Sequence, residues 1–427
     1  MKTSLLLILA AGIVFPDSRS LIAQAADAPD QPVAAETAPA EVAPRHSWFP
    51  RPRPDGTQVI PESSIEKPEH IGVRKHTNHV LFVPDVATGE PQGETPQSIR
   101  EVYNLPPTGG SGVIAVIDAF HYPTALADFN AFSTEFGLPT ETSTNVTAAT
   151  NKAFQVIYAS GVKPPVDQGW SLEAALDIEW AHAMAPKARI VLVEAASDSN
   201  EDLDNAVRAA NKISGLAEVS MSYGGSETRT EAMGDSVYSK AFVVYIAASG
   251  DVGGVVNYPG CSSRVIAAGG TVLHRDANGD FVSETGWSGS GGGRSRFIPR
   301  PTFQTKVASL VGPARGVPDL SFDAAPATGV SVYTSTPYEG AQGWMIIGGT
   351  SVASPALAGI INTAAAARGS LAVSTTAELT TIYSQLGTAA YAYEFRDITK
   401  GVAGQNKAAV SWDFVTGVGS PTGLSGK

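Results

Sequence analysis

From residue 95 onward the chain alternates between two textures. Short apolar runs rich in β-branched residues predict strands: "GVIAVID" (112–118), "ARIVLVEA" (188–195), "AEVSMSY" (217–223), "FVVYIAA" (242–248) and "SRVIAAG" (263–269). Between them, apolar residues at helical spacing predict helices at about 123–136, 171–185, 200–214 and 229–240. A last helix over 351–367 is dominated by Ala, Ile, Leu and Val, so it should be buried on every side. Strands that alternate with helices predict an α/β fold, a mostly parallel twisted sheet flanked by helices on both faces. No internal repeat is found.

Upstream the pattern changes. Residues 26–90 begin with "ADAPDQPVAAETAPAEVAPRHSWFPRPRPDG", which has too few large apolar residues to fold alone, and contain one strand candidate, "HVLFVPDV". This stretch is expected to be a linker or a short pro-segment. Residues 1–25 have the form of a secretory signal: Lys2, the apolar run "LLLILAAGIVF", and "AQA" before a cleavage point. That run is too short to span a bilayer as a helix. The expectation is therefore an exported protein, in the medium or the periplasm, with a single domain over 91–427.

Charge narrows the partners. The formal net charge is −12 and the sequence pI is about 5.1, so the chain lacks the basic footprint that nucleic acid or acidic lipid would need. Neither is expected as a partner, and a monomer is. With one cysteine, Cys261, no intramolecular disulfide can form, and that residue reads as a small buried hydrophobe. The glycine run "SGSGGGRS" (288–295) lacks the Lys-Ser/Thr of a phosphate loop and reads as a flexible surface loop.

Candidate chemistry sits at three places. In "GGTSVASPALAGI", Ser351 stands where a glycine turn enters an apolar helix, with Pro355 expected in the first turn. A hydroxyl there lies in the positive field of a helix N-terminus, although a serine before a helix is also an ordinary cap. A serine nucleophile needs a base. None of the seven histidines lies in a His-Gly-x-x-His helix start, and His182 is five residues beyond Asp177, off the tip of its helix. The helix "LEAALDIEWAHAMAP" instead carries Glu173 and Asp177 about 6 Å apart in rise on one face. In a dry site two such carboxyls share a proton, which raises one pKa and lets the pair act as a base; on a wet face they are only surface charge. Asp251 in "YIAASGDVGG" closes an apolar strand inside a glycine-flanked loop, and if protonated it can donate to an oxyanion.

These segments resemble one family, the sedolisins or serine-carboxyl peptidases. "LEAALDIE" is similar to its Glu-x-x-x-Asp helix, "AASGDVG" to its oxyanion-aspartate loop and "GGTSVASP" to its nucleophile turn, with "YNLPPTGGSGVIAVIDAF", "SMSYGG", "YPGCSSRVIAAGGTVL" and "VPDLSFDAAPATGVSVY" alike at the same relative places. The resemblance covers about residues 95–427. It implies a subtilisin-like α/β fold and endopeptidase action on polypeptides at low pH. Ser351 would be the nucleophile, Glu173 the general base, Asp177 its orienting partner and Asp251 the oxyanion donor; Asp118 in "AVIDAF" is left out of the set. The resemblance also implies one structural Ca2+ held by the Asp397 carboxylate, the Ile398 carbonyl and the Asp413 carboxylate, although Ala409 and Ser411 stand where the family has glycines. A further departure is the segment between signal and domain, which is short for the family's propeptide. A silent scaffold of the same fold, a tripeptidyl-type exopeptidase and a neutral Ser-His-Asp hydrolase are the competing readings.

Overall fold

The computed structural model describes residues 55–84, 89–230 and 234–427. The signal and residues 26–54 of the upstream stretch lie outside the described residues. The described chain begins with β1 (Gly56–Val59), β2 (His76–Thr77), β3 (Val80–Pro84) and the helix α1 (Pro96–Val102). There follow β4 (Val113–Ala119), α2 (Ala125–Glu135), β5 (Phe154–Tyr158), α3 (Gln168–Met184), β6 (Arg189–Ala195) and α4 (Asn200–Ala210). Next come β7 (Leu216–Met221), β8 (Tyr223–Ser226), β9 (Val244–Ala248), β10 (Ile266–Arg275) and β11 (Phe281–Gly286). The last elements used below are β12 (Leu320–Asp323), the hairpin β13 (Val330–Tyr338) and β14 (Ala341–Gly348), and α5 (Thr350–Arg368).

The main sheet has eight strands in the order β11-β10-β9-β7-β4-β6-β5, with β12 also on β10. Every pairing in it is parallel except β10 with β11. The strands are covered on both faces, which is why they read as continuous apolar runs rather than as alternating ones. In β4, Ile114 and Val116 enter the core built with α2, α3 and α5, while Val113, Ala115 and Ile117 enter the one built with α4. Each large aliphatic buried this way contributes roughly 1.5–3 kcal/mol. The thin helix α4 is amphipathic: Leu203, Ala206, Val207 and Ala210 face inward, and the Ser199 hydroxyl caps it by accepting from the Asp202 N–H at 3.2 Å.

Three expectations change. The helix at 229–240 is a single 3-10 turn, Asp235–Tyr238, where Gly234 interrupts the helical pattern; residues 231–233 lie outside the described set. The glycine run at 288–295 is close-packed rather than a flexible surface loop: Ser290 is buried, and a Cβ on Gly291 would lie 2.1 Å from the Ser249 carbonyl oxygen. Its glycines are there for backbone approach beside the Asp251 loop. Finally, residues 56–84 are no free linker. β1 and β3 complete an antiparallel sheet in the order β1-β3-β14-β13, with Val80 and Leu81 buried, and β2 pairs with β8.

Candidate active site

Glu173, Asp177, Asp251 and Ser351 arrive from three elements and converge at the carboxyl ends of the central strands. The Asp167 side chain starts α3 by accepting from the Trp170 N–H at 3.0 Å, and the helix then runs through the core with Glu173 and Asp177 both buried. Asp251 follows β9 in a tight loop. The φ of +100° at Gly349 turns β14 into α5, and a Cβ there would meet the Asn78 carbonyl oxygen at 2.2 Å and Asp251 Oδ2 at 2.5 Å. Only glycine fits that corner.

Ser351 is the second residue of α5, and Pro355 lies in the second turn rather than the first. Without an N–H, Pro355 leaves the Ser351 carbonyl without its helical donor, and the Ser222 hydroxyl lies 3.3 Å from that oxygen. The same hydroxyl donates to Asp177 Oδ1 at 2.8 Å, which ties helix α3 to the start of α5. Asp251 is fixed by the first helical amide: Thr350 N–H and Thr350 Oγ1 donate to its Oδ1 at 2.7 and 2.8 Å.

Electrostatically the cluster is a set of acids kept out of water. Burial pushes Asp251 up to about 8, against the two Thr350 bonds that pull it down. Asp177 is held well above the usual carboxylate range by burial, then by the charges of Asp118 and Glu173. Asp118, at the end of β4, is raised in the same way by burial and by Glu173 and Glu194, and neither of its oxygens has a hydrogen-bond partner. It belongs to the same carboxyl cluster, although it was left out of the candidate set. Glu173 Oε1, Asp177 Oδ2 and Asp251 Oδ2 also lack partners. In this arrangement no hydrogen bond joins Glu173 to Asp177.

Two residues that the sequence did not single out occupy the centre. His79 Nδ1 is hydrogen-bonded to Glu173 Oε2, both side chains fully buried. The Asn78 carbonyl accepts from the Ser351 N–H at 2.9 Å, while the Ser351 hydroxyl donates to the Ser222 carbonyl at 3.0 Å. The strand alternation of "KHTNHVLFVP" was the available signal; nothing in it pointed to the site. His182 is remote, its Nε2 on the Pro139 carbonyl at 2.8 Å and its pKa pressed down to about 4 by burial. Trp170 and Tyr223 are core residues, their ring centroids 6.3 Å apart.

The residues named for calcium do not form a cation cage here. Asp413 accepts from the Ala409, Val415 and Thr416 amides at 2.9, 2.7 and 2.8 Å, and both Asp397 oxygens lie 3.0 Å from the Ser411 N–H. The Ser411 carbonyl, at a position from which the loop could ligate, accepts from the Tyr391 hydroxyl at 2.9 Å. Amide N–H groups point where a cation would need oxygens, so this donor set does not fit Ca2+. Ser411 nevertheless keeps a φ of +79°, the conformation glycine favours.

No family model matches the chain. Over 375 residues, 78% of its length, the chain is 31% identical to kumamolisin of Bacillus sp. (strain MN-32), of which that stretch covers 63%. Over 373 residues it is 26% identical to sedolisin of Pseudomonas sp. (strain 101), covering 61% of that protein. The chain thus spans under two thirds of the length of these relatives. Among solved structures it is similar to Pseudomonas sedolisin, a serine-carboxyl proteinase complexed with two molecules of pseudo-iodotyrostatin, with a TM-score of 0.63 and 25% identity over 78% of this chain and 96% of that one.

Proposed function

Because the chain belongs to the sedolisin/kumamolisin family of serine-carboxyl peptidases, we propose that it is an exported endopeptidase that cuts polypeptides in acid, with Ser351 as nucleophile, Glu173 as base, Asp177 as its partner and Asp251 as oxyanion donor. The observation that carries this reading is the Asn78 carbonyl: a peptide oxygen rests on the Ser351 N–H with Asp251 Oδ2 close to the same point. That is where the oxygen of a bound substrate would gather charge.

In the proposed reaction the Ser351 hydroxyl gives its proton to Glu173 as it attacks the carbonyl carbon. The developing oxyanion receives hydrogen bonds from the Ser351 N–H and from the neutral Asp251 acid. Glu173 then returns the proton to the departing amine, and water cleaves the acyl-serine. Asp177, kept protonated by burial and by its acidic neighbours, can hand Glu173 a hydrogen bond once that carboxylate is free. Endopeptidase action is favoured over removal of terminal tripeptides by the path of residues 76–82. They pair with β8 on one side of Ser351 and with β14 on the other, so the site holds an extended chain on both sides of the nucleophile, as an endopeptidase requires.

The test is hydrolysis of a denatured protein from pH 3 to 8 by the purified protein, beside Ser351→Ala and Glu173→Gln. Activity is expected on the acid side and reduced on the order of 10³-fold or more in each variant. A neutral optimum or an active Glu173→Gln enzyme would overturn the carboxyl-base mechanism. No cleavage at any pH would favour a silent scaffold.

A further inference from the structure

Resting on the peptidase reading above, we propose that Tyr258, Tyr238 and Asp204 form a subsite that selects a lysine side chain at the fourth residue before the scissile bond of a polypeptide substrate. The Asn78 carbonyl marks the place of a scissile carbonyl, on the Ser351 N–H. With Asn78 as the first residue before the bond, Lys75 is the fourth. Its place is set by backbone. His76 and Thr77 pair antiparallel with Gly224 and Tyr223, and the Lys75 N–H donates to the Asp198 carbonyl at 2.9 Å. Those contacts do not depend on side chains, so any extended polypeptide seated in this register puts its fourth residue at the same point.

Lys75 is only 6% exposed, and a lysine is seldom buried so far without partners. Its Nζ lies 5.1 Å from the centroid of the Tyr258 ring, within cation–π range. With Tyr258, Tyr238, Leu203 and Asp204, Lys75 lines a cavity of about 220 Å³. Gly225 leaves room for the aliphatic stem, since a Cβ there would lie 3.3 Å from Lys75 Cδ. The Tyr258 ring is fixed in place. It stands opposite Gly225 where the short strand Asn257–Tyr258 pairs with β8, its hydroxyl donates to Asp235 Oδ1 at 3.1 Å, and the Tyr238 ring centroid is 6.4 Å away. Asp235 is held in turn by the Ser262 hydroxyl, which donates to its Oδ2 at 2.8 Å.

The preceding position shows the contrast. Arg74 forms its ion pair with Asp198 while its own side chain is exposed, and such a surface pair discriminates little. Around Lys75 the carboxylates are Asp204 in the cavity wall, Asp235 behind Tyr258, and Glu66, which comes from the upstream segment itself. In acid, carboxylates lose their charge as they protonate. The phenol rings have no charge to lose, because burial holds the Tyr238 and Tyr258 hydroxyls well above their ordinary value. An aromatic wall therefore keeps its attraction for an ammonium in a medium where an acidic wall fades.

The experiment sets peptides that differ only at the fourth residue before the cut, lysine, norleucine, glutamine or glutamate, in competition for the full chain at pH 5 and pH 3. Product masses identify the bond cut, and product amounts give the ratio of kcat/KM, which does not depend on the fraction of sites that are free. Lysine is expected to be preferred about tenfold over norleucine, its analogue without the ammonium, at pH 5, and by at least half that factor at pH 3. Tyr258→Leu is expected to bring the ratio to within about twofold of unity. A ratio near one, or in favour of norleucine, with the peptides cut, overturns the subsite and leaves the peptidase reading intact. A lysine preference that vanishes at pH 3, or that survives Tyr258→Leu, assigns the selection to carboxylates and overturns the aromatic wall. Should Tyr258→Leu not fold, the pH 3 ratio of the unaltered chain decides alone. No cleavage of any peptide at either pH overturns both readings.

Discussion

Two buried groups of acids in this molecule are treated in opposite ways. Around Ser351, Asp118, Glu173, Asp177 and Asp251 together keep five carboxylate oxygens without a hydrogen-bond partner. In the C-terminal loop, both oxygens of Asp397 and of Asp413 accept amide hydrogens. An unsatisfied buried acid costs stability and is pushed toward its neutral form; a satisfied one organises a loop. The first group is thus prepared to move protons, and the second holds backbone in place. Burial alone does not distinguish them, since Asp413 is also raised by burial yet is pulled back by the amides of Ala409, Val415 and Thr416.

The sharpest way to break that contrast is to remove the donor at Asp251. Asp251→Ala should lower kcat about 10²- to 10³-fold with a smaller change in KM, because the lost hydrogen bond matters most in the transition state. With burial pushing its pKa up to about 8, Asp251 would serve as a neutral donor below that pH, and activity should fall as pH rises and the acid ionises. That value belongs to a cleft covered by residues 76–82. Emptying the cleft re-solvates the carboxyl, so the alkaline limb of the free enzyme should lie below 8. Asp251→Asn should flatten that limb in a pH–rate profile; an unmoved limb would assign it to another acid.

The sequence made three of the first group's four acids readable, Asp118 being the exception, and carried no sign of how the second group is hydrogen-bonded. Glu173, Asp177, Asp251 and Ser351 each sit inside a short stretch whose local pattern is unusual: two acids on an apolar helix, an acid after an apolar strand, a serine at a glycine turn. The central strands were legible because burial on both faces leaves unbroken apolar runs. His79 was not, because its meaning lies in a contact with a residue 94 positions away, and no local spacing encodes that. The glycine run at 288–295 has the composition of a loose loop, and only tertiary contact gives its glycines their purpose. At Asp397 and Asp413 the resemblance implied a cation site, while in this structure the two carboxylates accept amide hydrogens, a direction that sequence does not carry.

A smaller effect tests the second group directly. Asp413→Ala leaves the Ala409, Val415 and Thr416 amides without their acceptor. The exposed Ala409 amide can turn to water, but those of Val415 and Thr416 are buried, and each orphaned buried group costs about 1–3 kcal/mol, so denaturant unfolding should show a loss on the order of 3 kcal/mol with any peptidase activity retained in the folded fraction. A change within about 0.5 kcal/mol would mean that the loop refills those bonds from water and that the acid is dispensable.

The smallest expected effect is that of a chelator. A ligand bound only to the native state raises its stability by RT ln(1 + [L]/Kd), so a tightly held Ca2+ would add several kcal/mol, and its removal would lower Tm by several degrees. Here the carboxylates already have amide donors, and the one proton of the Tyr391 hydroxyl is shared between the Ser411 and Val418 carbonyl oxygens, 2.9 and 2.7 Å away. Amide hydrogens rather than free oxygens face the two acids. Excess chelator should therefore leave Tm within about 1 °C, a shift too small for an ion whose loss costs kilocalories. Tyr391→Phe should lower it further than that, because the Ser411 and Val418 carbonyls lose the donor they share. A fall of several degrees in chelator, reversed by added Ca2+, would mean that residues 409–411 turn their carbonyls inward around the ion, and that the two acidic groups differ less than their hydrogen bonds suggest.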